Sequence, residues 1–217
     1  MHDLHFFNPY ADIRFSDNRL PHWQQNNVVC FLTFRLADSI PSHLLAKWES
    51  DRQIWLRYHP EPWSQETEHE YHRRFSQAIE NWLDAGYGAC LLKKPTCAQI
   101  VANTLRYFDG VRLRMISFVV MPNHTHALFV LNPEWLLERL VHSWKRHSAG
   151  EINKLIERSG RLWQKDYFDR LVRDEIHFAN CVRYIRRNPE KAALEPDQYI
   201  LFESEIARRV PSLSEAI

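Results

Sequence analysis

A chain of 217 residues is long enough to bury a sizeable core in one domain, or in one domain carrying an insertion. Its 45% hydrophobic content, with eight Trp and twelve Phe, excludes intrinsic disorder. A formal net charge of +1 excludes a globally basic nucleic-acid binder, so any basic surface has to be local.

The opening stretch MHDLHFFNPYADIRF has no basic region followed by an apolar one, so neither a signal peptide nor a membrane span is expected. Cys30, Cys90, Cys97 and Cys181 show no CxxC pairing, which points away from a zinc knuckle or disulfide framework and towards a reducing, cytoplasmic setting. A single domain over 1–217 is expected. It would have a polar N-terminal arm over about 1–25, with Arg14, Arg19 and His22, and a loosely held polar tail over about 195–217.

VVCFLTFRL, from Val28 to Leu36, is rich in β-branched and aromatic residues and predicts the first strand. Pro41 then opens a helix with Leu44, Leu45, Trp48 and Trp55 inward, ending before the Pro-rich turn at His59 to Pro62. From Gln65 to Ala85, Tyr71, Phe75, Ala78, Ile79 and Trp82 form one helical stripe closed by Gly86. Thr96 is a candidate N-cap for a helix burying Ile100, Val101, Leu105 and Phe108. Asp109-Gly110 predicts a turn before two strands, Met115 to Pro122 and His126 to Leu131, with Asn123 at the joint.

Asn132-Pro133 predicts the start of a helix with Leu136, Leu137, Leu140, Val141 and Trp144 inward. Arg161 to Arg173 predicts a last strand or extended loop, and Asp174 to Pro189 a final helix with Phe178, Val182 and Ile185 buried. The order of elements predicts an α+β fold: a small antiparallel sheet with helices on one face.

Within VVMPNHTHALFVL, His124 and His126 stand two residues apart. Side chains alternate along a strand, so both imidazoles project to one side and can share a metal ion. Two histidines on a solvated or hydrogen-bonded sheet face fit the same pattern. In the final helix, His177, Asn180, Tyr184, Arg187 and Asn188 predict a polar face opposite the buried stripe. Tyr184 and Asn188 lie one turn apart and can meet the same small site. A tyrosine at the edge of the core is the plain alternative. His177 reads equally as a supporting residue or proton shuttle and as a surface histidine.

MPNHTHALF, LWQKDYFDRLVRDEIHF and YIRRNPEKAAL, in that order, resemble successive signatures of the REP-associated tyrosine transposases. These are relatives of the single-strand transposases of bacterial insertion sequences among the HUH endonucleases. LPHWQQNNVVCFLTFRLADSIP and WLDAGYGACLLKKP extend the resemblance over about Arg19 to Leu194.

The resemblance implies an HUH endonuclease-like (ferredoxin-like) core with a central antiparallel sheet. It further implies His124, His126 and Asn188 as metal ligands and Tyr184 as the nucleophile of a DNA endonuclease and strand transferase. Thr125 stands where the family usually has a larger hydrophobic residue. The implied cofactor is a divalent cation, Mg2+ or Mn2+. The implied partner is single-stranded or hairpin DNA at repetitive extragenic palindromes (REP elements), engaged in the cytoplasm at the nucleoid by a monomer or homodimer.

Such a substrate needs local cations with stacking groups among them. Arg14, Arg19, Lys145, Arg146, Arg161, Lys165, Arg170, Arg173, Arg183 and Arg187 are the candidates, with Trp163, Tyr167 and Phe168 interleaved; each is equally readable as a solvated charge or a core aromatic. Two further readings use the same surface: a hairpin-DNA-binding structural or regulatory protein with little or no cleavage, and a hydrolase of small phosphodiesters that activates water.

Overall fold

The computed structural model describes residues 4–17, 21–60 and 63–212, so Arg19 lies outside the described residues, as does the end of the expected tail at 213–217. Strand β1 (Arg14–Asp17) pairs with β2 (Pro21–Gln24) in a small ribbon. Then follow β3 (Val29–Arg35), α1 (Ser42–Tyr58), α2 (Gln65–Tyr71) and α3 (Gln77–Asp84), the last two joined without a break by a π turn at His72–Ser76. A 3-10 turn at Leu91–Lys93 leads into α4 (Pro95–Arg106), β4 (Leu113–Val120), β5 (His124–Leu131), α5 (Leu137–Leu155), β6 (Phe168–Leu171), α6 (Glu175–Lys191), β7 (Ile200–Glu203) and α7 (Glu205–Arg208).

β3 to β7 form one antiparallel sheet in the order β6-β3-β5-β4-β7. The α+β class expected from the sequence is therefore the class found. Strand β5 is central, and all eight of its residues are buried. Ala127, Phe129 and Leu131 point into a core with Val101 and Leu105 of α4 and Trp144 of α5. Leu128 and Val130 point the other way, against Phe178, Val182 and Ile185 of α6 and Ala207 of α7. Helices therefore cover both faces of the sheet, not one as expected. The physical reason is in β4 and β5, whose runs are apolar on consecutive residues; an alternating strand leaves one face to solvent, and these leave none.

Residues 4–17 and 195–212 are more regular than a polar arm and tail. Phe7 N donates to Val172 O at 2.8 Å and Val29 N to His5 O at 3.1 Å, and Leu4 is buried, so residues 4–7 lie along the β3 side of the sheet. Beyond Leu194, β7 adds an edge strand to β4, and Ala207 and Val210 are buried. All four residues of β7 are only half-buried, which removes the alternation by which a strand is read from sequence.

Helix starts also differ from expectation. α4 begins at Pro95 itself, with Lys94 and not Thr96 as its N-cap. α5 begins after Leu136, which is left exposed, and its Leu137 N donates to Gln24 Oε1 of β2 at 2.9 Å. A distant side chain thus does the capping that a local Asn-Pro was expected to do. The helices α1 to α3 have their own aromatic core: Trp55 meets Trp63, Tyr71 and Phe75, and Trp48 Nε1 donates to Phe75 O at 3.0 Å. All four cysteines are free thiols. Among the described residues no helix is long and apolar enough to cross a membrane.

Candidate active site

The site lies at the start of β5, on the face covered by α6. His124 and His126 share that face, with Thr125 turned away. Their register partners on β3 are Arg35 and Thr33. Nε2 of His124 is 3.1 Å from Nε2 of His126. Each ring is held from behind: His124 Nδ1 lies 2.8 Å from Asn123 Oδ1, and His126 Nδ1 lies 2.7 Å from Thr33 Oγ1. Asn123 Nδ2 donates to Leu83 O at 3.1 Å and to Tyr87 O at 3.3 Å, which leaves its oxygen as the acceptor facing His124. His124 therefore carries its proton on Nδ1 and presents an Nε2 lone pair inward.

Burial lowers the His124 pKa to about 3 and takes that of His126 well below its ordinary value. Both rings are neutral at pH 7, the state in which imidazole binds a metal. Two inward nitrogens 3.1 Å apart are within the span of one ion with metal–nitrogen bonds of about 2.0–2.1 Å.

Helix α6 brings Tyr184 and Asn188 to the pair. The Tyr184 hydroxyl is 3.5 Å from His126 Nε2, and its ring stands edge-on to His126 and to Phe31. Burial raises the Tyr184 pKa above that of a free phenol, and Glu80 and Asp84 of α3 raise it further. Lys191, seven residues after Tyr184 on α6, places Nζ 2.9 Å from Asp84 Oδ2 and 4.0 Å from Glu80 Oε2.

Asn188 is 1% exposed, and neither Oδ1 nor Nδ2 has a hydrogen-bond partner of ordinary geometry. Its carboxamide is still close enough to offset slightly the shifts of His124 and Tyr184. A buried carboxamide left without partners costs about 1–3 kcal/mol, and a cation beside the two Nε2 atoms gives its oxygen the missing contact. The donor set thus fits a divalent cation. Among the described residues no cluster of three or more His, Cys, Asp or Glu offers another metal site.

The expected polar face of α6 needs correction. Asn188 lies on the buried side with Cys181 and Ile185, and Tyr184 is half-buried against the same core. Asn180 and Arg187 are exposed. Together with Arg183, Tyr184 and Lys191 they line a groove of about 500 Å³ that opens beside the site. His177 N donates to Asp174 Oδ1 and its Nδ1 accepts from Arg173 N, at the start of α6. No hydrogen bond joins His177 to the histidine pair among the described residues.

Of the expected DNA-contacting cations, Arg14 and Arg146 are exposed. Lys165 is exposed too, near Lys145, whose Nζ donates to Lys165 O at 2.9 Å and Asp166 O at 3.3 Å. Burial brings the Lys145 pKa down to about 8. Arg173 pairs with Glu68 of α2 at 2.5 Å, and Arg183 donates to Pro211 O. Arg170 lies over Phe168 and lines a second pocket with Phe7 and Trp23. Trp163 and Tyr167 are core residues, while Phe168 is partly exposed.

Sequence reasoning missed several participants. Asn123 sits next to the motif, but its bond to α3 leaves no sequence signal. Thr33 and Arg35 join the site only through the register of β3 on β5, and Glu80 only through the packing of α3. His22 was placed in an irregular arm. It is in fact buried and bonded to both Asp166, at 3.1 Å, and Asp169, with its ring stacked on Tyr167. Burial alone would lower its pKa; the two carboxylates outweigh that and raise it to about 9. His22 is thus a charged clamp between the β1–β2 ribbon and the segment leading into β6.

Residues 91–188 match the family model described as transposase IS200 like. The matched span runs from the 3-10 turn to Asn188 and contains His124, His126, Tyr184 and Asn188. The resemblance expected from the sequence is borne out at the level of this family. No curated protein matches the chain. Among solved structures, that of a REP-associated tyrosine transposase bound to a REP hairpin is similar at 14% identity and a TM-score of 0.43, over 81% of this chain and 73% of that one.

Proposed function

We propose that this chain, whose residues 91–188 match the family model described as transposase IS200 like, is a metal-dependent single-stranded DNA endonuclease and strand transferase that acts at REP-type hairpins through a 5′-phosphotyrosine intermediate. The observation that carries the reading is the placement of the Tyr184 hydroxyl 3.5 Å from His126 Nε2, beside two neutral imidazoles and a buried carboxamide without a hydrogen bond of ordinary geometry. A protein that only bound hairpins would have no physical need of all four groups.

His124, His126 and Asn188 are the residues that would hold the cation, Mg2+ or Mn2+. Bound there, it would neutralise the anionic oxygens of a phosphodiester and orient the scissile group. All three ligands are uncharged, so they leave the ion its full charge. Asn123 and Thr33 fix the ring orientations from behind, the role that hydrogen-bonded partners of metal-binding histidines serve.

Tyr184 attacks phosphorus: its oxygen forms the new P–O bond as the bond from phosphorus to the 3′ oxygen breaks. The phenolic proton departs, and the released 3′ oxygen takes up a proton. The ester keeps the phosphate activated, so a 3′-hydroxyl can later reverse the step and rejoin a strand. The raised pKa of Tyr184 means that the phenol holds its proton at neutral pH and gives it up only as it attacks.

The substrate class, DNA hairpins with adjacent single strands, rests on the motif resemblance and the family match. The test is to incubate the protein with Mn2+ or Mg2+ and end-labelled oligonucleotides carrying such hairpins. A metal-dependent adduct that survives denaturation supports the reading. Hairpin binding without adduct or nicking moves the assignment to a binding factor.

A further inference from the structure

Arg35 ends β3 on the face that carries the site. It is the register partner of His124, and Thr33, two residues earlier on the same face, holds His126. Directly opposed residues on antiparallel strands have Cβ atoms about 4.5–5.5 Å apart, so the Arg35 side chain leaves the sheet alongside that of His124. It is half-buried. Its Nη1 donates to Ser39 Oγ at 3.1 Å, and Ser39 Oγ in turn donates to Leu36 O. Among the described residues no carboxylate comes within ion-pair distance of the guanidinium.

This is a costly arrangement for structure alone. A guanidinium carries five N–H donors and does not shed its proton in proteins, and a hydroxyl compensates none of its charge. Burial lowers the Arg35 pKa to about 10, against the opposing pull of Glu49, so it remains a cation at neutral pH. Buried or interfacial cations are paired as a rule, and the partner suited to a planar fork beside a candidate metal site is a phosphate oxygen. Lys145 lies near enough for its charge and that of Arg35 to act on one another, with Arg161 and Asp166 acting on Lys145 as well, so Arg35 is one of several charges at this end of the sheet.

We propose that Arg35 is a phosphate-binding residue of the active site, its guanidinium engaging a non-bridging oxygen of the substrate's phosphodiester backbone beside the His124–His126 pair. The proposal rests on the reading that this site acts on DNA. It identifies the strand β3, upstream of the segment matched by the family model, as part of the substrate cradle. Arg35, beside His124, holds the strand while Tyr184, beside His126, attacks.

The test combines Arg35→Gln and Arg35→Lys with hairpin oligonucleotides in which one phosphate at a time around the cleavage position is replaced by a neutral methylphosphonate. Affinity is read with Tyr184→Phe protein in Mn2+, where no cleavage intervenes, and adduct rate is read with Tyr184 intact. Thermal unfolding confirms that each variant is folded.

The expected result is that one methylphosphonate position weakens binding by Arg35 protein on the order of 10-fold or more, and that Arg35→Gln binds phosphate and methylphosphonate equally there. Adduct formation by Arg35→Gln should fall on the order of 100-fold, the scale of losing one preorganised donor, with partial recovery in Arg35→Lys. Equal methylphosphonate penalties in Arg35 and Arg35→Gln proteins would overturn the proposal. Absence of any adduct from the unsubstituted protein would instead count against the proposed function, while the binding comparison would still decide the role of Arg35.

Discussion

Asn123 Oδ1 accepts from His124 Nδ1 at 2.8 Å while the same carboxamide donates to Leu83 O at the end of α3. One side chain therefore fixes a histidine tautomer and ties the helical layer α1 to α3 to the site. Asn123→Ala should weaken Mn2+ binding about 10–100-fold, as losing a partner of a metal-binding histidine does. Titration calorimetry on folded protein checks this; unchanged affinity would show that Asn123 serves α3 alone.

Asn188 predicts a trade of stability against function. Asn188→Leu removes two buried polar atoms without hydrogen bonds of ordinary geometry and should stabilise the metal-free protein, by up to about 1–3 kcal/mol, while weakening Mn2+ binding. Denaturant unfolding in a chelator, with a parallel metal titration, measures both. A destabilised variant would mean that the carboxamide has a structural role.

Glu80 and Asp84 push the Tyr184 pKa upward after burial has done so. Glu80→Gln removes a negative charge from beside the phenol and so eases its ionisation. The pH–rate profile for adduct formation should move to lower pH in this variant. A shift to higher pH would assign Glu80 the opposite task of accepting the phenolic proton.

His22 gives a pH signature that does not involve the histidine pair. Its folded-state pKa is raised to about 9, above the ordinary value of about 6.5. The folded state thus binds more protons than the unfolded state between these values, and stability falls as pH rises through that window. The stabilisation is fully present below pH 6.5 and lost as pH passes about 9. His22→Gln should flatten this alkaline limb in thermal unfolding measured from pH 6 to 10. A limb of unchanged steepness would place the alkaline loss elsewhere.

What the sequence showed follows the range of its signals. The histidine pair was legible because two residues of one strand carry it, and Tyr184 with Asn188 because helical periodicity spans four residues. The buried position of Asn188 was not legible, since a polar residue on a helix reads as outward until the neighbouring strand is known. Thr33, Arg35 and Glu80 act across a register or a helix contact, for which one chain offers no periodicity. The two-sided cover of the sheet was present in the unbroken apolar runs of β4 and β5, yet the order of elements alone pointed to one face. His22 was hidden among polar residues because its partners, Asp166 and Asp169, lie 144 and 147 residues away.

The most direct measurement compares unsubstituted protein with Tyr184→Phe on an end-labelled hairpin oligonucleotide in Mn2+, resolved under denaturing conditions. The account predicts a covalent protein–DNA adduct that requires the metal and is absent from Tyr184→Phe, with DNA binding retained. Cleavage that persists in Tyr184→Phe would contradict it and assign the chemistry to an activated water.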